Sequence, residues 1–145
     1  RRLERLGDLY AEEYGLEVRG VARTGAAGGL AGGLAAVGAL LVEGFDLISE
    51  EVGLIEAIEC ADLVITGEGA VDEESFDGKV VGGVLALAEE FGVPAVVIAG
   101  VIAEGVPISA GVRTVSLSDR FGIERSTRET LACIREAVAG FIEPA

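Results

Sequence analysis

The stretch ITGEGAVDEESFDGKVVGG, residues 65–83, holds most of the residues whose types and spacing suit a chemical role. Gly67 and Gly69 follow a β-branched run, and acids at positions 68, 72, 73, 74 and 77 lead into the pair Gly78-Lys79. Lys79 is the sole lysine of the chain, whose other ten cations are all arginine. Such a loop either holds an anionic ligand or is an acidic surface turn.

The two common nucleotide signatures do not match this stretch. A Walker loop needs a glycine where Glu73 stands and a serine or threonine where Val80 stands. The dinucleotide fingerprint would have its third glycine where Asp72 stands. A phosphate site in this loop therefore has to be built from other groups.

Other groups for such a site are present. Lys79 falls at the predicted start of a helix, where free backbone amides attract anions, and a lysine there opposes the helix dipole unless a negative group lies nearby. Glu68 and Asp72 offer the oxygen ligands that Mg²⁺ prefers, and Asp72 would alternatively orient an attacking hydroxyl. In the structural alternative, Asp72, Asp77 and Ser75 make turn and cap hydrogen bonds while Lys79 neutralises the acids.

A second glycine cluster lies at residues 24–33, in the sequence TGAAGGLAGG. Gly25, Gly28 and Gly29 would let backbone amides approach a ligand at the start of a helix. Glycines at this density also permit tight helix packing, and the spacing alone favours that second interpretation.

Composition limits the partners. The 145 residues include 25 acids and 11 bases, and the net charge of −14 argues against nucleic acid and anionic membranes as partners. Residues 24–42 are uncharged, but six of the nineteen are glycine, so we expect a buried helix rather than a membrane span. Without any histidine, Cys60 and Cys133 do not suggest a zinc site, and two reduced thiols predict a cytoplasmic protein.

The elements that position these residues follow from hydrophobic periodicity. We expect a helix over residues 2–14 that ends at Gly15, an apolar helix within 23–42, and buried strands at 63–65, 93–100 and 112–118. Further helices are expected from Asp46 and Ser49, between the first two strands, and at the end of the chain, where Ser126 and Glu129 fit a capping box. The side chains predicted to face the core from these helices are Ile48, Val52, Ile55, Ile58, Val80, Val84, Leu87, Phe91, Leu131, Ile134, Val138 and Phe141.

This order of strands and helices predicts a layered α/β fold with a short parallel sheet and flanking helices, in a single domain over residues 1–145. Such sheets bind ligands beyond the carboxyl ends of their strands. The loops expected there are 66–78, 100–111 and 116–125.

Taken together, GAAGGL at 25–30, ADLVITGEG at 61–69, DGK at 77–79 and GVPAVVIAG at 92–100 resemble the type I glycerate kinase family. The resemblance covers nearly the whole chain. It implies a two-domain α/β fold and phosphorylation of D-glycerate with ATP and Mg²⁺. The resemblance also implies the site, which consists of the residues that match the family motifs. These are Gly25, Gly28, Gly29, Thr66, Gly67, Glu68, Gly69, Asp72, Gly78 and Lys79. We add Ser75, which lies between Asp72 and Gly78 in the stretch 65–83.

In this interpretation Lys79 offsets phosphate charge, Glu68 and Asp72 are catalytic, and Asp72 is the candidate metal ligand. Three positions depart from the family pattern: Ala70 stands for an arginine, Glu74 for a glutamine and Val81 for a proline. The loss of a cation and the gain of an acid should weaken anion binding by roughly 1.5–3 kcal/mol.

The chain resembles the carboxy-terminal portion of the family, so an incomplete enzyme is expected, inactive alone and lacking an amino-terminal half. An alternative is a non-catalytic or degenerate α/β module that binds a small acid or supports a partner chain. Apolar surface left uncovered in either case predicts a homo-oligomer.

Overall fold

The structure, a computed structural model, describes residues 1–142, which form two compact units, Arg1–Glu43 and a second unit that begins at Gly44. The predicted α/β class with a short parallel sheet and flanking helices is confirmed. Both parallel sheets lie within the second unit, and the first unit contains only helices and turns. Among residues 1–142, no helix has both the length and the apolar character that crossing a membrane requires.

In the first unit, helix α1 covers Arg2–Tyr14 and ends as predicted at Gly15, whose φ of 66° lies in the left-handed region. Arg19 pairs with Asp8 and with Glu17, and its hydrogen bond lowers the pKa of the Glu17 carboxyl to about 2. A 3₁₀ turn at Ala26–Gly29 then leads into helix α2, Leu30–Ala36.

The expectation of a buried apolar helix within residues 23–42 is wrong. Helix α2 has only seven residues, and the large side chains along this stretch are exposed: Leu40 by 85 % and Val37 by 69 %. The glycine face is the one that packs, since a Cβ at Gly32 would lie 2.9 Å from the Thr24 carbonyl oxygen and one at Gly33 would lie 2.7 Å from the Tyr10 hydroxyl. Small residues therefore occupy the inward face, and the larger ones point outward.

The second unit alternates helices, strands and short turns along the chain. Its elements are α3 Gly44–Glu51, α4 Leu54–Glu59, β1 Val64–Thr66, β2 Ala70–Val71, a 3₁₀ turn Glu73–Phe76, α5 Val80–Glu90, β3 Ala95–Ala99, β4 Val101–Ile102, β5 Arg113–Ser116, α6 Leu117–Phe121, α7 Ile123–Arg128 and α8 Thr130–Ile142. The three predicted strands are confirmed, each within the predicted range or one residue from it.

The main sheet has the order β1-β3-β5, with both pairings parallel. Val64 lies opposite Ala95, and Val96 lies opposite Arg113. A second parallel pair, β2 with β4, has two residues in each strand, and the sequence pattern did not predict it because such short strands have no periodicity to detect.

The core lies on both faces of β3, whose five residues are all buried. Its odd-numbered residues, such as Val97, pack in one cluster with Val84 and Ala88 of α5. Its even-numbered residues, Val96 and Ile98, pack in a second cluster with Leu117, Cys133 and Ala137 of the helices that follow β5. The unit is therefore a three-layer α/β/α arrangement, which explains the unbroken apolar run in β3.

Several predicted core positions are exposed instead. Ile48, Val52, Ile55, Val80, Leu131 and Ile134 are each at least 36 % exposed, as is Ile65 in the outer strand β1. Both faces of these helices carry apolar residues, so the true inward stripe differs from the predicted one; in α8 it contains Cys133 and Ala137. Ser126 is also wrong as a cap, because it lies inside α7 and donates its hydroxyl to the Ile123 carbonyl.

Candidate functional site

The TGEG loop that follows β1 is held against the end of β3 by its backbone. Gly100 N–H donates to the Glu68 carbonyl at 3.2 Å, and Val101 N–H donates to the Gly69 carbonyl at 3.1 Å. A Cβ at Gly67 would lie only 1.8 Å from the Ile98 carbonyl oxygen, and one at Gly100 would lie 2.4 Å from the Gly69 oxygen. Glycine at these two positions is therefore a requirement of close backbone approach.

Two cavities border this loop. The first, which we call the strand-end cavity, has a volume of about 380 Å³ and is lined by Thr66, Gly67, Glu68 and Gly69 with Ile98 and Leu117. It lies at the carboxyl ends of β1 and β3, where ligands of parallel sheets bind.

The second, which we call the lysine cavity, has a volume of about 480 Å³. Gly67 and Glu68 line it together with Gly78 and Lys79, and Phe45 forms part of its apolar wall. Gly67 of the TGEG loop and Gly78 of the Gly-Lys pair are eleven positions apart in the sequence. The structure brings both motifs to one concave surface.

Glu68 lies where these two cavities adjoin, since it lines both of them. Its Oε1 atom is buried and has no hydrogen-bond partner within residues 1–142. Buried polar atoms are normally paired in native proteins, so an unpaired carboxylate oxygen beside a cavity points to a ligand.

Lys79 is the N-cap residue of α5, as the sequence predicts, and its side chain is 49 % exposed. Its ammonium group donates to Oε2 of Glu74 at 3.3 Å. The cation at the cavity is therefore partly neutralised by Glu74, one of the three residues that depart from the family pattern. This pair is exposed, so its contribution to stability is small, about 0–1 kcal/mol.

Asp72 and Ser75 form a reciprocal cap at the 3₁₀ turn that begins at Glu73. Ser75 N–H donates to Oδ1 of Asp72 at 3.2 Å, and the Asp72 N–H donates to the Ser75 hydroxyl at 3.1 Å. Neither residue lines the strand-end or lysine cavity. The structure thus contains the cap hydrogen bonds that the structural alternative predicts for Asp72 and Ser75.

A metal role for Asp72 stays a prediction. In the part of the chain that the structure describes, no group of three or more acidic, cysteine or histidine side chains is arranged to hold a metal ion. Mg²⁺ commonly binds through one or two carboxylates and the phosphates of a substrate, so a complete protein cage is not a condition for its use.

The glycines of the first unit have separate roles. Gly29 is buried against α1, because a Cβ there would lie 2.8 Å from Leu3 and 2.9 Å from Leu6. Gly25 and Gly28 face open space. Between them Ala27 has a φ of 51°, an unusual left-handed conformation for a residue other than glycine. Packing therefore explains Gly29, and a binding role for Gly25 and Gly28 stays a prediction.

Some cavity residues were missed by sequence reasoning. Phe45 and Ser49 line the lysine cavity, and Thr130 lines the strand-end cavity, but no motif or spacing marks them. Gly100 had a usable signal, because a glycine directly after a buried strand falls at the carboxyl edge of the sheet. A larger cavity of about 630 Å³ lies near the amino ends of β3 and β5, and no residue of the predicted site lines it.

The fold and the cavities define an α/β protein with glycine-rich loops at the carboxyl edge of a parallel sheet. A family model described as the glycerate kinase family matches residues 1–141. The chain belongs to the glycerate kinase family.

Individual relatives agree with this result. A glycerate kinase from Halalkalibacterium halodurans is 39 % identical over 105 residues, which cover 72 % of this chain and 28 % of that protein. The glycerate 2-kinase of Escherichia coli is 35 % identical over 107 residues, 73 % of this chain and 28 % of that protein. A crystal structure of a provisionally assigned glycerate kinase 2 from Salmonella typhimurium LT2 matches with a TM-score of 0.51 and 31 % identity, covering 92 % of this chain and 37 % of that one.

The matched segment is thus less than a third of the length of these two curated relatives. The type I glycerate kinase resemblance read from the motifs is confirmed at the level of the family.

Proposed function

We propose that this chain supplies part of the active cleft of an ATP-dependent glycerate kinase. The observation that supports this most strongly is the shared lining of the lysine cavity, where Gly67 and Glu68 of one motif lie with Gly78 and Lys79 of the other. A cavity of about 480 Å³ is in the range of small-molecule sites. Membership of the family supports the same class of chemistry.

The proposed reaction is transfer of the γ-phosphoryl group of ATP to a hydroxyl of D-glycerate. The hydroxyl oxygen forms a bond to the γ-phosphorus, the bond from that phosphorus to the β–γ bridging oxygen breaks, ADP leaves, and the hydroxyl proton passes to a base or to water. Phosphoryl transfer depends mainly on positioning and on neutralising charge. In this proposal Lys79 neutralises phosphate charge, and the free amides at the start of α5 receive phosphate oxygens.

In this proposal Mg²⁺ would bind mainly through the nucleotide phosphates, and Asp72, which lines neither cavity, is carried over from the sequence as its candidate protein ligand. When bound, it neutralises phosphate charge that one lysine alone leaves uncompensated. The net charge of −14 makes such local compensation a requirement for binding ATP.

A coupled assay of ADP formation with D-glycerate and Mg-ATP tests the proposal, applied to this chain and to the whole product of its gene. We expect Lys79→Ala to lower kcat/KM by about 100-fold, as loss of a charge-stabilising donor does in other enzymes. Arg120→Ala, a change of a cation in α6 that lines neither cavity, is the matched control. A whole gene product without glycerate-dependent ADP formation would contradict the kinase assignment.

The second candidate is a non-catalytic module that binds a small acid or supports a partner chain. The Lys79–Glu74 ion pair favours it, because an acid already occupies the cation that phosphate would need. Acid binding without any turnover of ATP, in the whole gene product, would support this candidate over the kinase.

A further inference from the structure

We infer that Glu68 is the residue that recognises a hydroxyl group of the bound acid, and that it sets the preference of the site for hydroxy acids. The inference rests on the proposed function, because it assumes that the lysine cavity receives a small carboxylic acid. Glu68 then has a binding role in place of the metal-ligand role considered from the sequence.

The first step is the state of the carboxylate. Oε1 of Glu68 is buried and accepts no hydrogen bond within residues 1–142. The backbone of the same residue is fixed, since its carbonyl accepts from Gly100 N–H and Gly67 packs on the Ile98 carbonyl. A buried, unpaired acceptor on a fixed backbone is costly for the empty protein, and a ligand that donates a hydrogen bond removes that cost.

The second step is the kind of donor. Glu68 and Lys79 both line the lysine cavity, so a bound molecule gains most if it carries an anionic group and a separate hydrogen-bond donor. A hydroxyl group is a neutral donor that satisfies Glu68 without bringing a cation close to Lys79.

The third step is discrimination. A site that contains a buried acceptor for a hydroxyl disfavours the analogue without that hydroxyl, because the acceptor then stays unpaired. A hydrogen bond to a charged group contributes enough to give a preference of at least ten-fold. We therefore expect D-glycerate to bind at least ten-fold more tightly than propionate, which has the same carbon skeleton without hydroxyls.

The experiment is isothermal titration calorimetry of the whole product of this chain's gene with D-glycerate, propionate and L-alanine. We expect the glycerate preference to fall below two-fold in Glu68→Ala and to a few-fold in Glu68→Gln, with propionate binding unchanged or tighter in both. Glu90→Gln, which removes an exposed carboxylate from α5, should keep the full preference.

Three outcomes would overturn the inference: an unchanged preference in Glu68→Ala, tighter binding of L-alanine than of D-glycerate by the unsubstituted chain, or no saturable binding of any of the acids. Failure of the kinase proposal is distinguishable from all three. A hydroxyl preference that depends on Glu68 without ATP turnover leaves this inference standing, whereas turnover with an unaltered preference in the variants overturns this inference alone.

Discussion

Glu74 competes with any anionic ligand for the cation of Lys79, and its removal should strengthen anion binding. In Glu74→Gln the ion pair at 3.3 Å is lost, and the ammonium becomes available to a phosphate. Exposed pairs contribute about 0–1 kcal/mol, so we expect ATP to bind up to about five-fold more tightly, with the gain shrinking as salt is raised. Titration of a fluorescent ATP analogue measures this.

Glu73→Gln is the control for that measurement, since it removes the neighbouring exposed acid, which forms no ion pair with Lys79. Equal gains from the two variants would mean that general charge, and not the pair with Lys79, limits anion binding.

Gly67 and Gly69 lie two positions apart in one motif, yet their substitution by alanine should differ sharply. A Cβ at Gly67 would lie 1.8 Å from the backbone oxygen of Ile98, which no side-chain rotation relieves, so we expect a loss of about 3 kcal/mol or more in the free energy of unfolding. At Gly69 a Cβ meets nothing within 4 Å, so alanine should be neutral or stabilise by up to about 1 kcal/mol. Urea denaturation tests both variants, and similar values for the two would contradict this packing of the TGEG loop.

The 3₁₀ turn between β2 and α5 depends on its cap, and Asp72 allows structural and metal roles to be separated there. Asp72→Ala removes the acceptor for Ser75 N–H and should cost about 1 kcal/mol. Asp72→Asn keeps an acceptor oxygen, so we expect its stability to stay within about 0.5 kcal/mol of the unsubstituted chain. If Asp72 binds Mg²⁺, the asparagine variant of the active gene product should need more Mg²⁺ for half-maximal rate, and an unchanged requirement would remove Asp72 from the proposed site.

At the scale of single elements, a second test concerns the left-handed backbone at Ala27 and Gly28, which precedes α2. Ala27 has φ 51° and ψ 41°, a conformation that costs an L-residue roughly 1–2 kcal/mol. Glycine relieves that cost but loses about 0.5–1 kcal/mol in conformational entropy, so Ala27→Gly should stabilise by about 0.5 kcal/mol. Ala26→Gly, at the neighbouring residue without a positive φ, should destabilise. The same sign for both variants would contradict this backbone geometry.

Sequence patterns predicted where the helices and strands occur better than which face of each helix is buried. The β3 strand was predictable because an unbroken apolar run of this length is typical of a buried strand, and the stop at Gly92 because a glycine before Val93-Pro94 is typical of a helix end. The inward faces of α3 and α8 were not predictable, because both sides of each helix carry apolar residues. Only tertiary packing decides which side is buried. Likewise, the motifs predict a site that includes Glu68 and Lys79, and this stays a prediction. The burial of Oε1 of Glu68 depends on tertiary packing that no local pattern encodes.

At the scale of the whole molecule, net charge and exposed apolar surface act in opposite directions on self-association. The charge of −14 makes copies of the chain repel one another, whereas side chains such as Leu40, Val37 and Val52, each at least 67 % exposed, favour contact. At 1 M salt the Debye length falls to about 3 Å, so repulsion is screened while the hydrophobic contribution persists. We therefore expect sedimentation velocity at micromolar concentration to show monomer at low salt and dimer or larger species in 1 M NaCl. The double variant Leu40→Ser with Val37→Ser should shift the high-salt distribution back toward monomer if that surface carries the contact. A clean monomer of the unsubstituted chain at both salt concentrations would contradict the proposal that this chain self-associates.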